Sequence, residues 1–336
     1  MKEALLYQKT NNNNVRCNLC AHRCIINPGK AGICMVRENI DGILYTKVYG
    51  RTIAQHIDPV EKKPLYHFYP GSKAYSVATP GCNFHCQFCQ NWDISQLTHS
   101  EILESGQKAT PEEIVLNAKQ TGCKSIAYTY TEPTIFFEYS YDTARLAHEA
   151  GLKNIYVSNG YMTDDMLDII SPYLDAVNID LKAFREETYR HLMGARLQPV
   201  LDSLKKIKQL GTWIEVTSLI IPGINDDSSE IRDMSNFVAS ELGADVPWHI
   251  SRFFPAYKMK DVPATPLKTL QAAKEIGMEA GLNYVYIGNT ANISDMNTKC
   301  PQCDYVLIER LNFGIIKNNI KEWHCPNCGT KIAGVG

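Results

Sequence analysis

The sequence lacks any apolar run approaching the roughly 20 residues that a membrane-spanning helix needs. The first ten residues also lack the apolar core of a signal peptide. Excess charge of one sign is missing too, because the formal net charge is only −2 for 336 residues, and such a balance does not favour binding to nucleic acid or to an anionic membrane. We therefore expect a cytoplasmic protein that uses neither nucleic acid nor a membrane.

Cysteine, in contrast, is abundant. In a cytoplasmic chain, cysteines are interpreted as metal ligands or reactive thiols before disulfides, and eleven of the twelve fall into groups of ligand-set size. The twelfth, Cys123, is expected to be a small buried hydrophobic residue. The groups are Cys17, Cys20, Cys24 and Cys34; Cys82, Cys86 and Cys89; and Cys300, Cys303, Cys325 and Cys328.

The central group has the spacing C-x3-C-x2-C and no fourth member. Three thiolates on one loop can hold three irons of a [4Fe–4S] cube and leave the fourth iron open. A structural zinc ion requires four ligands, so it is under-ligated here. Spacing alone still allows a zinc knuckle or three unrelated buried thiols.

This loop, with Phe88 before its last cysteine, resembles the cluster loop of radical S-adenosylmethionine (SAM) enzymes. In those enzymes the amino and carboxylate groups of SAM chelate the open iron, and the reduced cluster cleaves SAM to a 5′-deoxyadenosyl radical. The resemblance implies that Cys82, Cys86 and Cys89 are catalytic cluster ligands and that Phe88 lies beside the adenine.

Between residue 74 and about residue 290, apolar strand patterns alternate with helical ones. This order predicts a parallel sheet with right-handed crossovers. Strands are predicted to begin near residues 74, 125, 154, 176, 213, 248 and 284, and helices near 111, 134, 164, 228 and 265; no helix is predicted between the strands near 176 and 213.

Polar residues alternate along two of these strands and therefore share a face: Asn178, Asp180 and Lys182 on one, and Glu215 and Thr217 on the other. Solvated edge residues would also give this pattern, but its repetition favours a lined cavity. The predicted fold class is α/β, a partial (β/α)6-type TIM barrel of radical SAM enzymes with small Cys-rich metal modules at both termini, and its site lies at the carboxyl ends of the strands.

The predicted domains are a four-cysteine module with lead-in strands at 1–70, the partial barrel at 71–295, and a zinc-ribbon or rubredoxin-like module at 296–336. Neither terminal module can bury enough apolar surface to be stable without a metal.

The predicted strand ends carry runs similar to those that surround SAM in the superfamily. Thr131-Glu132-Pro133 resembles its Gly-Gly-Glu-Pro run, with the glycines replaced by Tyr130 and Thr131. Each of three residues has a competing interpretation. Glu132 could be an acid at a helix N-terminus, Pro222 could belong to a simple turn, and Arg252 could stack on aromatic rings at the surface. The resemblance implies these further cofactor contacts: Thr131, Glu132, Ser158, Asn159, Asp180, Lys182, Pro222, Arg252, Ile287 and Gly288.

The two outer groups each supply four thiolates. Cys300-x2-Cys303 and Cys325-x2-Cys328 form a paired knuckle typical of zinc ribbons and rubredoxins. The N-terminal group, C-x2-C-x3-C-x9-C, fits structural zinc or an auxiliary [4Fe–4S] cluster. Zinc or iron is therefore expected at both sites.

Over nearly its full length the chain resembles the radical SAM enzyme of the AmmeMemoRadiSam system, which is pyruvate formate-lyase activating enzyme-like. The resemblance rests on the N-terminal cysteines, the segment 62–71, the central cysteine loop, the Thr-Glu-Pro run, Asp-Leu-Lys-Ala-Phe and the C-terminal ribbon. It implies a Memo-type partner, an AMMECR-type partner and a reducing protein such as ferredoxin or flavodoxin.

Three functions remain open from the sequence. The first is hydrogen abstraction from a small molecule or a side chain. The second is activation of a glycyl-radical enzyme, although related activases carry their extra cysteines after the cluster loop rather than at both flanks. The third is a non-catalytic zinc-stapled binding protein, which leaves the missing fourth cysteine of the central group unexplained.

Overall fold

The structure, a computed structural model, describes residues 1–290 and 293–336. Its centre is an eight-stranded sheet in which each strand lies beside its neighbour in the chain. The last seven strands are parallel, and the first pairs antiparallel with the second at one edge. The strands are β1 Ala54–Pro59, β2 Lys73–Ala78, β3 Ser125–Tyr128, β4 Lys153–Ser158, β5 Ala176–Asp180, β6 Trp213–Ile220, β7 Trp248–Arg252 and β8 Val285–Gly288.

This sheet confirms the predicted radical SAM α/β fold class. Strands β1 and β8 form opposite edges of the sheet, so the barrel is partial. All seven strands predicted between residues 74 and 290 are present. In the register of β5 with β6, Asn178 lies opposite Glu215 and Asp180 opposite Thr217, which gives the barrel interior two polar levels.

Helices connect successive parallel strands. The first begins as its sequence predicts, because the Thr110 hydroxyl accepts from the Glu113 backbone and the Glu113 carboxylate accepts from the Thr110 backbone. The longer helices are α1 Pro111–Gln120, α2 Phe137–Glu149, α3 Asp164–Ile170, α4 Gln198–Leu210, α5 Ser228–Phe237 and α6 Leu267–Glu279. Short helical turns occupy Val60–Lys62, Trp92–Ser95, His99–Glu104, Pro133–Phe136, Ser171–Tyr173, Glu186–Thr188, Tyr189–Met193, Val238–Leu242 and Ile293–Met296.

Helix α4 is the element that the sequence-based prediction missed. It buries Val200, Leu204 and Ile207 on one face, and it ends at Gly211, whose φ of 79° is the left-handed conformation common after helices. The apolar spacing of these residues and the terminal glycine are the signals by which it could have been found.

Small antiparallel sheets flank the central sheet. In the N-terminal part, one contains Lys2–Glu3, Ile43–Thr46 and Arg37–Ile40, a second Tyr7–Lys9, Val15–Cys17 and Ile25–Ile26, and a third Arg51–Thr52 and Gln107–Lys108. The C-terminal part contains Thr298–Lys299, Val306–Leu311 and Gly314–Asn318. The domain boundaries stay predictions.

Residues 60–72, here called the floor segment, join β1 to β2 at the amino-terminal end of the parallel strands. The Asn178 side chain donates to the Pro64 carbonyl at 2.7 Å, and the Glu215 carboxylate accepts from the backbone N–H groups of Tyr66 and His67 at 2.9 and 2.8 Å. The lower polar level of the interior is thus saturated by the floor segment, and the barrel is closed at this end.

The terminal modules lie at opposite ends of the barrel. Near the carboxyl end of β4, the Thr163 hydroxyl donates to the Asn18 carbonyl at 2.9 Å. At the other end, the Val335 N–H donates to the His67 carbonyl at 2.8 Å. Among the described residues, no helix is both long and apolar enough to cross a membrane.

Candidate functional site

A cavity of about 500 Å³ lies at the carboxyl ends of the strands. Ten of the fourteen residues predicted as catalytic or cofactor-binding line it: Cys82, Phe88, Cys86, Cys89, Thr131, Glu132, Ser158, Asn159, Asp180 and Lys182. They come from the loops after four successive strands, and the parallel sheet brings these loops to one end.

The cysteine loop, residues 82–89, is held in place by its backbone. The His85 N–H donates to the Met193 carbonyl at 2.9 Å and the Gln87 N–H to the Leu192 carbonyl at 3.0 Å. These bonds attach the loop to the helical turn after β5. Side chains add to this attachment, since Gln87 Nε2 donates to the His191 carbonyl and Gln96 Nε2 to the Phe84 carbonyl, each at 3.1 Å.

Two of the three thiols, Cys82 and Cys86, lie where burial makes a negative charge unfavourable. Burial raises the pKa of Cys86 to about 12 and that of Cys82 well above its usual value. Cys82 and Cys86 therefore become stable thiolates only when a strong positive charge compensates them. The donor set therefore fits a bound iron–sulfur cluster, and Cys82, Cys86 and Cys89 are the residues that would hold it.

Glu132 is fully buried between two strand ends. Its carboxylate accepts from the Thr134 hydroxyl at 2.6 Å, from the Ser158 hydroxyl at 2.7 Å and from the Asn159 N–H at 2.9 Å. Burial raises its pKa, and these hydrogen bonds partly oppose that shift. The carboxylate thus positions the turn at residues 158–159 against the cavity.

Asp180 and Lys182 form an ion pair at the mouth, with Lys182 Nζ 2.8 Å from Asp180 Oδ2. Burial lowers the pKa of Lys182, but Asp180 and the nearby Cys86 sulfur raise it by more, so the net pKa lies above the ordinary value. The ammonium is therefore charged and lies beside the thiols. The pair offers one acceptor and one donor of opposite charge to a zwitterionic ligand.

Tyr130 occupies the place of a glycine in the similar family run, and its φ of 66° is a left-handed conformation that glycine adopts more easily. Its hydroxyl bonds to Asp58, and Lys63 Nζ lies 4.7 Å from the centre of its ring. The Tyr130 side chain is thus held in place by Asp58 and Lys63.

Four predicted contacts do not line this cavity. Arg252 donates from Nε to the Thr265 carbonyl at 2.8 Å and lies over the Phe254 ring, as the competing interpretation expects. Ile287 is buried as part of the main hydrophobic core. Pro222 and Gly288 are likewise absent from the lining, which includes Ser251 of β7 and Asn289 directly after β8.

Other lining residues were not predicted, and they include Lys62, Gln90, Asn91, Ser95 and Gln96. Gln90 and Asn91 follow the last cysteine directly in the sequence, and Ser95 and Gln96 lie six and seven residues after it. Their closeness to Cys89 in the sequence is a signal by which they could have been predicted. In the structure, the Ser95 hydroxyl is 3.2 Å from the Cys89 sulfur.

The C-terminal cysteines converge on one point. The ligand atoms of Cys300, Cys303, Cys325 and Cys328 all lie within 4.8 Å of one another, and two sulfur pairs are 3.6 and 3.7 Å apart. Four sulfurs placed about 2.3 Å from a tetrahedral zinc ion would be about 3.8 Å apart. This site therefore fits a single tetrahedral metal ion.

The N-terminal cysteines line a separate small cavity together with Asn83 of the cysteine loop. The N-terminal group thus adjoins the open end of the barrel, whereas the C-terminal site lies beyond its closed end. The N-terminal group consists of Cys17, Cys20, Cys24 and Cys34.

Comparison with known proteins agrees with this geometry. The sequence profile of the radical SAM superfamily matches residues 76–237, which include the cysteine loop and the ends of β2 to β6. An uncharacterized protein of Methanocaldococcus jannaschii is 46% identical over 334 residues, and the alignment covers 99% of each chain. The chain belongs to the radical SAM superfamily. It is therefore an enzyme, and its superfamily implies a [4Fe–4S] cluster and SAM.

More distant radical SAM relatives have names that describe a reaction. The pyruvate formate-lyase-activating enzyme of Clostridium pasteurianum is 22% identical over 200 residues, covering 55% of this chain and 81% of that protein. A putative glycyl-radical enzyme activating enzyme of M. jannaschii is 24% identical over 219 residues, covering 62% of this chain and 78% of its own. The similarity to activases is thus distant and partial.

Among solved structures, a radical SAM methyltransferase from Sphaerobacter thermophilus superimposes with a TM-score of 0.50 at 15% identity, covering 66% of this chain and 67% of its own. At this identity the likeness shows the shared fold.

Proposed function

We propose that this protein cleaves SAM reductively at a [4Fe–4S] cluster held by Cys82, Cys86 and Cys89, and that it abstracts hydrogen from a small molecule or a side chain in the cavity. When bound, the cluster supplies the electron that breaks the sulfonium bond of SAM. The cavity volume of about 500 Å³ lies within the range of small-molecule sites and supports a small molecule or a single side chain as the substrate.

One observation supports this proposal most strongly. Three cysteines, and no fourth among the described lining residues, share a cavity wall with the Asp180–Lys182 pair. The open iron of such a cluster needs a ligand that the protein does not supply. A cofactor with an amino group and a carboxylate can bind this iron and also complement the charges of Asp180 and Lys182.

The chain's other residues would orient the cofactor. Glu132 fixes the 158–159 turn, whose Asn159 side chain in turn donates to the Asn83 amide oxygen at 2.8 Å beside Cys82. Phe88 is buried at the cavity wall, where an aromatic ring can pack against the adenine.

The test is the formation of 5′-deoxyadenosine after anaerobic reconstitution and reduction with dithionite. Wild-type protein should form it, and Cys86→Ala should form none, because a cluster ligand is lost. Cys123→Ala is the matched control, since Cys123 is equally buried but lies outside the cavity. Activity in the Cys86→Ala protein would end the proposal.

A second candidate is activation of a glycyl-radical enzyme, which the similarity to named activases favours. Low-temperature electron paramagnetic resonance of the reduced enzyme with SAM and a co-purified partner should then show a stable glycyl doublet. Product formation from a small molecule without such a doublet would favour the first candidate.

The proposed partners are a reducing protein such as ferredoxin or flavodoxin, a Memo-type protein and an AMMECR-type protein. The basis is the full-length sequence resemblance described above. Co-purification from cells under anaerobic conditions tests them directly.

A further inference from the structure

The small cavity lined by Cys17, Cys20, Cys24 and Cys34 is chemically distinct from the C-terminal site, although both offer four thiolates. Among the described residues, no three ligand atoms of the N-terminal group lie within 4.8 Å of one another, whereas the four C-terminal sulfurs do. One tetrahedral ion needs sulfurs about 3.8 Å apart. The N-terminal sulfurs are too widely spaced for a single ion.

The cysteine loop shows the same wide spacing. Its three sulfurs also do not fall within 4.8 Å of one another in the described chain. Ligands of a four-iron cube bind different irons and are therefore farther apart than ligands of one ion. By this measure the N-terminal group resembles the cysteine loop and not the ribbon.

Two buried N–H donors at the cavity have no hydrogen-bond partner within the described part of the chain. They are Arg37 Nε and Asn83 Nδ2, and both side chains line the cavity with 2% exposure or less. The other Arg37 nitrogens are satisfied by Glu138 and by the Leu5 carbonyl. Buried donors rarely stay unpaired, so these two point to an acceptor inside the cavity.

The acceptor must be anionic and compatible with thiolates. A four-iron cluster with four thiolates carries net negative charge and has sulfide and thiolate sulfurs that accept N–H hydrogen bonds. A single zinc ion with four thiolates has no bridging sulfides and would draw the four sulfurs together. The unpaired donors and the wide spacing thus favour the same occupant.

The cavity also touches the loop that carries the first cluster. Gly81, next to Cys82, has φ of 95°, and a Cβ there would lie 3.1 Å from the Cys34 carbonyl oxygen. Asn83 follows Cys82 and forms part of the cavity wall, and its carbonyl lies 2.8 Å from His22 Nε2. Neighbours of one first-cluster ligand are therefore in contact with the second site.

From these observations we propose that Cys17, Cys20, Cys24 and Cys34 bind a second [4Fe–4S] cluster, adjacent to the one on the cysteine loop. Arg37 and Asn83 donate hydrogen bonds to its sulfurs. The second site is assigned from its own residues and stands whether or not the proposed SAM chemistry is correct. It adds a one-electron redox group at the open end of the barrel.

Metal content tests the assignment independently of activity. The variant with Cys82, Cys86 and Cys89 all changed to Ala lacks the first site. After anaerobic reconstitution it should retain about four irons and about four sulfides per chain. It should also keep about one zinc in the ribbon, which serves as an internal sign that the chain has folded.

Adding Cys20→Ala and Cys34→Ala to that variant should remove the iron and sulfide and leave the ribbon zinc. A folded triple variant with a second zinc in place of iron, or with neither metal at the N-terminal site, would overturn the proposal.

A second measurement examines the contact with Asn83. In the triple variant, Asn83→Leu should shift the midpoint potential of the remaining cluster to a lower value, because it removes a hydrogen bond to sulfur. Asn83→Gln, which keeps an amide, should restore part of the shift. An unchanged potential in Asn83→Leu would contradict the assigned role of this residue.

Adjacency is tested in the wild-type protein. With both clusters reduced, the electron paramagnetic resonance spectrum should be broadened or split by spin interaction, and the triple variant should give a simple one-cluster signal. Two non-interacting signals in the wild type would contradict the placement.

Discussion

The closed and open ends of the barrel are built from the same two strands, but they use polar side chains in opposite ways. Asn178 and Glu215 form the lower level, where the floor segment satisfies them. Two residues further along each strand, Asp180 and Thr217 form the upper level and line the cavity. One alternating pattern thus produces a sealed floor and a binding site.

The difference arises from what covers each level. Glu215 also accepts from His249 Nε2 at 2.6 Å and from Trp213 Nε1 at 3.1 Å, so its buried charge has four donors. Burial raises the pKa of Glu215, but the hydrogen bond and charge of His249 lower it by more. At the open end the Asp180–Lys182 pair keeps partial solvent exposure of 33% and 17%. The lower level therefore contributes to stability, whereas the Asp180–Lys182 pair at the open end can still contact a ligand.

The largest effect on stability is expected at the floor. Glu215→Ala leaves three buried donors and the half-buried Trp213 Nε1 without an acceptor, and it should lower the free energy of unfolding by about 3–5 kcal/mol. Urea denaturation of the metal-reconstituted protein measures this. Glu215→Gln keeps an acceptor and should cost less; a loss below about 1 kcal/mol in the Ala variant would show that the floor is held by other contacts.

The next effect is a pH dependence from His67 in the same floor. Burial lowers the pKa of His67 from 6.5 to about 4, so the folded protein keeps this ring neutral where the unfolded chain protonates it. Stability should be complete above pH 6.5 and should fall by up to roughly 3 kcal/mol as the pH drops towards 4. Unfolding measured at several pH values gives the slope.

His67→Gln is the matched control for that titration, because an amide can still donate to the Ala333 carbonyl, which the His67 ring contacts at 2.7 Å. The variant should lose this part of the pH dependence. An identical slope in wild type and variant would assign the acid sensitivity to another group.

At the mouth, Asp180→Asn should change binding more than stability. The ion pair is partly exposed, so the free energy of unfolding should change by less than about 1 kcal/mol. The KM for SAM should rise about tenfold, equivalent to about 1.4 kcal/mol. Asp168→Asn, which breaks the surface pair with Lys206, is the control and should leave KM unchanged. If Asp180→Asn lowered the free energy of unfolding as much as Glu215→Ala does, the proposed difference between the two levels would be wrong.

The last prediction concerns the coupling energy across the hydrogen bond that joins the two levels. The Thr217 hydroxyl donates to the Asn178 amide oxygen at 2.8 Å. Thr217→Val and Asn178→Ala should each destabilise by about 1–2 kcal/mol, and the double variant by about 0.5–1.5 kcal/mol less than their sum. Strict additivity would mean that the levels are energetically independent.

Much of the site was predictable, because it depends on short sequence patterns. Of the fourteen predicted residues, ten line the cavity: four come from the cysteine loop, whose spacing limits which metal groups it can hold, and six come from the strand-ending polar runs. Pro222, Arg252, Ile287 and Gly288 were less predictable, because the direction of a side chain at a strand end depends on the local twist and on neighbouring elements.

The floor could not have been read from the sequence. Alternation placed Glu215 on the inner face, but whether that face meets water, ligand or backbone depends on where residues 60–72 pass. Helix α4 differs from the floor, because the apolar period of Val200, Leu204 and Ile207 and the terminal Gly211 are local signals present in the sequence.

The sequence alone determined the parallel α/β order, the three cysteine groups and the resemblance to radical SAM enzymes, because each rests on local spacing or periodicity. Only the tertiary structure decided which polar level is sealed, which four-cysteine group adjoins the cysteine loop and how far apart its sulfurs lie. Those properties depend on contacts between residues distant in the chain, such as Asn83 with Cys17 and Cys34 around one cavity, and local patterns carry no information about them.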